Sequence, residues 1–529
     1  MPNHPKLLIF GIDSATWDLM DPWLEAGLLP NLAALTSDGC RARLRSIVPP
    51  ITGCAWPTIM TGVNPGKHGM FGLSSYDTNY RHRPVSNLDR RAPALWEQLG
   101  ELGLSVGVYN VPMTYPPNEF NGYMVSGEMG AVEFDRSMFY PRELFEELER
   151  VVPDYVIAPL RRDEQGYDLD ALKRQVEARR KAAVYLLEKH PVDVFITVVN
   201  YVDHVQHFFM KGRTCGEIED LVLWTYQQAD RLLGELMALA GEDAAVMVLS
   251  DHGAGPVSGF LDVNALLAQL GFLQVPRPAG QGASVKSALR KGYHTLVRPF
   301  LSQGRQKKIR KRFAGLPFEP SETLAYQAGP YLCVRINLEG REARGSVPPG
   351  DYRKVTSEIV EALNHVDNPF SGEKDLGAFA AADYYSGPHT GLGPDVLGSP
   401  QGFALDRTTI PGNVDRPFLS PQDLRALGSD MAYREGTHRA DGIFACKVPS
   451  REVSVSLEHP GLADIAPTVL SLLSLPAPTH LDGQTIIDMP EKRVEGGEAW
   501  EGPRDDAGEA YTDEEQKKVE QRLRDLGYL

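Results

Sequence analysis

Residues 192–207 read VDVFITVVNYVDHVQH. The stretch Val192–Val199 is apolar almost throughout, the signature of a strand buried on both faces, as in a parallel sheet with helices on each side. It stops at Asn200, and Asp203 and His207 follow one helical turn apart, so the two side chains share one helical face. Outward from this point the layout repeats. Residues 216–240 place Leu221, Trp224, Ala229, Leu232, Leu236 and Leu239 on one helical stripe. Ala244–Leu249 is then a strand, with Asp251, His252 and Gly253 directly behind it. Towards the N-terminus lie helices charged on one face at 169–189 and 142–152, a strand over Leu104–Tyr109 ending in Asn110, and an amphipathic helix over 92–103. The chain opens with a continuous apolar run, Lys6–Ile12, that closes on Asp13, and helical periodicity follows over Leu19–Leu35, containing a helix start at Pro30-Asn31-Leu32. Strands alternating with helices predict an α/β fold with a doubly wound, mostly parallel sheet. Such sheets bind ligands beyond the carboxyl ends of their strands, where these polar residues stand.

At 529 residues the chain exceeds one simple core. The pattern divides it into a first core part over 1–273, an inserted cap region over 274–429, a second core part over 430–490, and an acidic linker with a last helix over 491–529. Within the insertion, Tyr331–Leu338 is strand-like and 351–364 helical. Residues 284–313 carry ten Lys or Arg and no acid, interleaved with apolar residues. One reading is a patch for anionic substrate or weak contact with anionic lipid; the other is a solvated helical lid. Thr512 and Glu515 form a capping box for the last helix. The net charge of −16 excludes a general binder of nucleic-acid polymers, which needs a basic surface. Five scattered cysteines form no disulfide framework and fit a reducing compartment. The N-terminal apolar run is too short for a signal peptide, and no stretch approaches the roughly 18 apolar residues of a membrane span. The expectation is a soluble, cytoplasmic protein.

The stretch 49–69, PPITGCAWPTIMTGVNPGKHG, reads as turn and helix after an extended approach. Thr52 falls near the helix N-terminus, where unpaired N–H groups favour an anion. It is a candidate nucleophile, with a plain N-cap as the alternative. Strand ends deliver Asp13, the Asp203/His207 pair and Asp251-His252, and the loop REGTHRADG adds His438. Taken singly, each of these is more often a turn former or a cap. Together they make two Asp/His sets suited to a borderline divalent metal such as zinc. A pair of metals about 3.5–4 Å apart clamps the attacking and leaving oxygens of an in-line displacement.

GIDSATWD, the ITGCAWPTIMTG–NPGKHG block, VDHVQH, SDHG and GTHRADG resemble the alkaline phosphatase superfamily, most closely its type I phosphodiesterase/nucleotide pyrophosphatase branch. The resemblance covers about residues 6–275 and 430–485 in the right order. It implies that Asp203, His207 and His438 hold one zinc, with manganese the alternative metal. Asp13, Asp251 and His252 would hold the other, and Thr52 would be the nucleophile bridging towards both. The implied reaction cleaves a phosphodiester or pyrophosphate bond of a small phosphorylated substrate through a threonyl-phosphate. Where nucleotide pyrophosphatases place a phosphate-binding asparagine this chain has Leu73, and Asn110 is the substitute for substrate binding. Cys54 lacks the C-x-P-x-R setting of a sulfatase. A phosphomonoesterase on the same site is the first alternative; a membrane-surface or scaffold protein with a vestigial site is the second. His68, His204, His389, His480 and Asp482 are read as loop or packing residues, as is Cys54.

Overall fold

Eight strands build the central sheet: β1 (Leu7–Ile12), β2 (Cys40–Arg45), β3 (Val106–Tyr109), β4 (Gly122–Val125), β5 (Phe139–Tyr140), β6 (Val194–Val199), β7 (Ala245–Leu249) and β8 (Asp441–Lys447). The computed structural model describes residues 4–127, 130, 133–155, 157, 167–275, 318–370, 376–398, 403–406, 416–427, 429–495 and 510–525. The strand order is β2-β8-β7-β1-β6-β3-β4-β5. The run β7-β1-β6-β3-β4 is parallel, β8 pairs antiparallel with both β7 and β2, and β5 runs antiparallel to β4. The basic segment 284–313 lies outside the described residues, as does most of the linker after 491. No described helix is long and apolar enough to cross a membrane.

The near-continuous apolar strands follow from burial on both sides. Leu8, Phe10 and Ile12 pack into one core with Phe195 and Val248, while Leu7 and Ile9 pack into another with Val194, Ile196 and Met247. Successive side chains point to opposite faces, so a sheet covered twice needs apolar residues at every position. Each fully buried side chain of this kind contributes about 1.5–3 kcal/mol. β1 lies between β6 and β7 in register Leu7↔Val194 and Leu7↔Ala245, which brings the carboxyl ends of three neighbouring strands level.

Several boundaries differ from the sequence pattern; the helix expected over 92–103, for example, spans Leu95–Glu101. The periodicity over Leu19–Leu35 resolves into two helices, Trp17–Glu25 and Pro30–Asp38, because Gly27 takes φ 71° and reverses the chain between them. The helix expected over 216–240 begins at Leu221, where the Asp220 carboxylate accepts the Leu223 N–H at 2.9 Å. The strand expected over Leu104–Tyr109 begins at Val106.

A second, four-stranded antiparallel sheet orders Ala325–Gln327, Leu332–Ile336, Val396–Gly398 and Ala378–Ala380. Its core includes Val355, Ile359 and Leu363 of the Tyr352–Asn364 helix, with Leu261, Leu266 and Leu267 from the end of the segment 1–273. The last helix, Asp513–Asp525, starts at the expected capping box: Thr512 N–H donates to Glu515 Oε2 at 2.8 Å, and Glu515 N–H to Thr512 Oγ1 at 3.3 Å.

Candidate metal centre

Three strand ends and one ribbon build the site. Asp13 follows β1, and its N–H still bonds Val199 O at 2.9 Å, so it extends the ladder beside β6 by one step. After β6 the helix Tyr201–Phe209 carries Asp203 in its first turn and His207 in its last. β7 delivers Asp251 and His252. Its end is fixed by the Ser250 hydroxyl, which donates to Ala15 O at 2.9 Å and accepts from Ile443 N at 2.8 Å. The ribbon pairs Gly253–Pro256 antiparallel with Gly436–Arg439 and sets Ala254 opposite His438. Gly253 does not act through a left-handed bend, as the sequence alone would allow. A Cβ there would lie 2.1 Å from Asp441 O, so glycine is needed for close approach.

All seven predicted metal-site and nucleophile residues are buried and brought together. His207 Nε2 lies 3.1 Å from Asp203 Oδ2, and His438 Nε2 lies 3.4 Å from Asp203 Oδ1. His252 Nε2 lies 3.2 Å from Asp251 Oδ2 and 3.7 Å from Asp13 Oδ1. The atoms fall into two overlapping groups, Asp203–His252–His438 and Asp13–Asp251–His252. The sequence pattern divides the ligands cleanly; the structure makes His252 common to both groups, its ring stacked on His438 at 3.8 Å.

The chemistry of this donor set fits divalent cations. Nδ1 of His438 faces Pro50 O at 2.7 Å, Nδ1 of His252 faces Gly253 O at 3.2 Å, and Nδ1 of His207 faces Gly436 O at 3.4 Å. A carbonyl only accepts, so in His438 and His252 Nδ1 carries the proton and Nε2 turns a lone pair inward. The carboxylates are held the same way. Trp56 Nε1–H donates to Asp13 Oδ2 at 3.3 Å and Ser14 N–H to Asp251 Oδ1 at 3.4 Å. Their other oxygens, Asp13 Oδ1 and Asp251 Oδ2, are buried and accept no hydrogen bond from a described residue. Burial first, then the neighbouring acid charges, raises Asp13 well above the usual carboxylate range; burial and Asp203 push Asp251 up to about 8. Burial lowers His207 to about 3, and with the neighbouring histidines holds His252 well below the ordinary range, so these two imidazoles are neutral. Dry, mutually repelling carboxylates among imidazoles are a site for positive charge.

Thr52 is the first residue of its helix; the N-cap is Ile51, which has no side chain to cap with. The plain N-cap alternative is thereby removed. Its Oγ1 instead faces His252 Nε2 at 3.5 Å. The N–H groups of Thr52 and Gly53 have no partner among the described residues, an arrangement suited to an anion. A Cβ on Gly53 would lie 2.5 Å from Gly72 C, so the turn rests directly on the Gly72–Leu73 backbone. Leu73 itself is buried in the first core.

Asn110 stands apart. It takes φ 57°, and its Nδ2 donates to Val198 O at 2.7 Å, which ties β3 to β6; it makes no hydrogen bond to the cluster. His68, His204, His389 and His480 belong to neither ligand group. His68 Nδ1 accepts from Met70 N–H at 3.2 Å, and its Nε2 lies 3.0 Å from the Thr58 hydroxyl, which fixes the loop after the Thr52–Thr61 helix. Asp482 also ties that loop down, accepting from Asn64 N at 2.8 Å and pairing with Lys67. Three residues escaped the sequence pattern. Trp56 was visible only as an apolar helix residue. Arg434, buried, places Nη2 2.9 Å from both ring nitrogens of His207; its one signal was a cation one turn before His438. Tyr331 reaches His438 from the second sheet with no local signal at all.

Among solved structures, the fold resembles phosphonoacetate hydrolase from Sinorhizobium meliloti 1021, with a TM-score of 0.53 and 18% identity over 88% of this chain and 94% of that one. It also resembles human ectonucleotide pyrophosphatase / phosphodiesterase 5, with a TM-score of 0.50 and 13% identity over 91% and 100%. A 45-residue stretch is 49% identical to 2,3-bisphosphoglycerate-independent phosphoglycerate mutase from Synechocystis sp., covering 8% of this chain and 8% of that protein's length. The family model for type I phosphodiesterase / nucleotide pyrophosphatase matches residues 7–391. The chain belongs to that family of phosphoric ester hydrolases.

Proposed function

We propose that the protein is a metal-dependent hydrolase that cleaves a phosphodiester or pyrophosphate bond of a small phosphorylated substrate at a two-metal centre, through a threonyl-phosphate. The observation that carries this reading is the pair of overlapping ligand groups that share His252, with the Thr52 hydroxyl 3.5 Å from it. Asp203, His207 and His438 would hold one ion, and Asp13, Asp251 and His252 the other, with zinc favoured by the mixed carboxylate and imidazole set. Divalent ions bound there would supply Lewis acidity and lower the pKa of a coordinated hydroxyl.

Within the chain, Thr52 Oγ1 forms a bond to phosphorus as the bond to the leaving oxygen breaks; water then displaces Thr52 and restores its hydroxyl. The net change is one ester bond hydrolysed by one water. The amides of Thr52 and Gly53 donate to the non-bridging oxygens, and Trp56 holds Asp13 in place. In this reading residues 274–429 are the cap over the site. The five cysteines, none of them in a disulfide, support a reducing, cytoplasmic setting.

Metal analysis of the purified protein, joined to hydrolysis of bis-p-nitrophenyl phosphate against p-nitrophenyl phosphate, tests the proposal. Two equivalents of metal and a preference for the diester are expected. A preference for the monoester would move the assignment to phosphatase, and no metal with no turnover would overturn it.

A further inference from the structure

Tyr331 sits where a chain reversal ordinarily takes glycine or asparagine. It follows the Gln327–Pro330 turn of the second sheet with φ 59°, a left-handed conformation that bulky L-residues rarely adopt. Residues kept in such conformations concentrate at functional sites. The side chain is 8% exposed and counts among the core residues of the second sheet, yet it also leaves that sheet. Its ring centroid lies 6.0 Å from that of His438, and its hydroxyl lies 3.4 Å from Thr437 Oγ1. Thr437 immediately precedes His438 in the Gly436–Arg439 strand, so this contact reaches the main chain that carries His438. One residue thus belongs to the second core and touches the strand that carries a metal-ligand candidate.

We propose that Tyr331 is a positioning residue of the metal centre, through which the second sheet holds His438, at its main chain and at its ring, so that Nε2 faces Asp203. This deepens the reading of the cluster as a divalent metal site and rests on it. Groups that orient a ligating histidine typically change metal affinity by about 10–100-fold when removed. A residue that served only the turn would leave metal affinity unmoved.

The test titrates Zn²⁺ into metal-free full-length protein against a competing chromophoric chelator, with circular dichroism to establish folding. Tyr331→Phe removes only the hydroxyl, and Thr437→Val removes its side-chain partner without touching the second sheet. Tyr326→Phe, a buried tyrosine of the same sheet outside the site, is the control. Tyr331→Phe is expected to weaken one of two zinc equivalents by about tenfold. Thr437→Val should weaken the same equivalent, the double variant should be no weaker than the worse single one, and Tyr326→Phe should match wild type. Wild-type affinity in both Tyr331→Phe and Thr437→Val would overturn the role of Tyr331. A wild-type protein that takes up no zinc would instead overturn the metal-centre reading.

Discussion

Two buried charge clusters in this molecule are built to opposite rules. In the second sheet, Glu342 and Asp395 are matched by cations. Arg341 grips Asp395 in two places, at 2.9 and 2.7 Å, and Arg335 Nε donates to Glu342 Oε1 at 2.7 Å. Ile336 N–H and the Tyr352 hydroxyl take up further valences of Asp395, and Leu338 N–H donates to Glu342 Oε2. At the strand ends, Asp13, Asp203 and Asp251 face one another and three imidazoles, and two of their inward oxygens accept no hydrogen bond from a described residue. The first cluster is complete as folded. The second is held open by its surroundings, so its stability depends on what binds there.

The largest expected effect separates chemistry from binding. Thr52→Ala should lower diester turnover by about a thousandfold or more, while metal content measured by mass spectrometry stays at the wild-type value. Comparable turnover would remove Thr52 as nucleophile. Next comes the matched cluster. Arg341→Met leaves Asp395 buried without its cation and should cost about 3–5 kcal/mol in urea unfolding, with or without metal. A loss that depended on metal would mean the two clusters are not independent. Stripping metal by dialysis against a chelator should lower thermal stability, by about 2.7 kcal/mol where free metal stood a hundredfold above its Kd. The same treatment of Asp251→Ala should remove only the one equivalent that remains. The smallest effect inverts the sign. Asp251→Asn keeps the shape of the site and, above about pH 8 where Asp251 is ionised, removes one repelling charge, so it should stabilise the metal-free protein there by about 1 kcal/mol. Asp395→Asn should destabilise it. Equal signs in the two substitutions would erase the contrast.

Much of this was legible in the chain. Val192–Val199, Lys6–Ile12 and Ala244–Leu249 announce buried parallel strands because burial on both faces forces apolar residues at successive positions. Their ends, at Asp13, Asn200 and Asp251, are marked because a strand leaving the core can afford polar residues only there. The turn at Gly27 was missed because a helical repeat continues across it and φ is not written in hydrophobicity. Asn110 stood at a strand end like the others, and its bond to Val198 O, which joins two strands, is written in no local pattern.

The sequence by itself determined the sheet, the residues at its carboxyl edge and the pool of ligands, since these follow from side-chain periodicity within one element. The tertiary structure alone decided that His252 serves both groups, that Nε2 of His438 and of His252 turns inward, and that Trp56, Arg434 and Tyr331 close around them. His438 Nδ1 meets the carbonyl of Pro50 across 388 positions of chain, and Ser250 meets Ile443 across 193. Such pairings depend on register between distant strands and on glycines that let backbones touch. No local repeat encodes them, because their energy exists only once the whole sheet has formed.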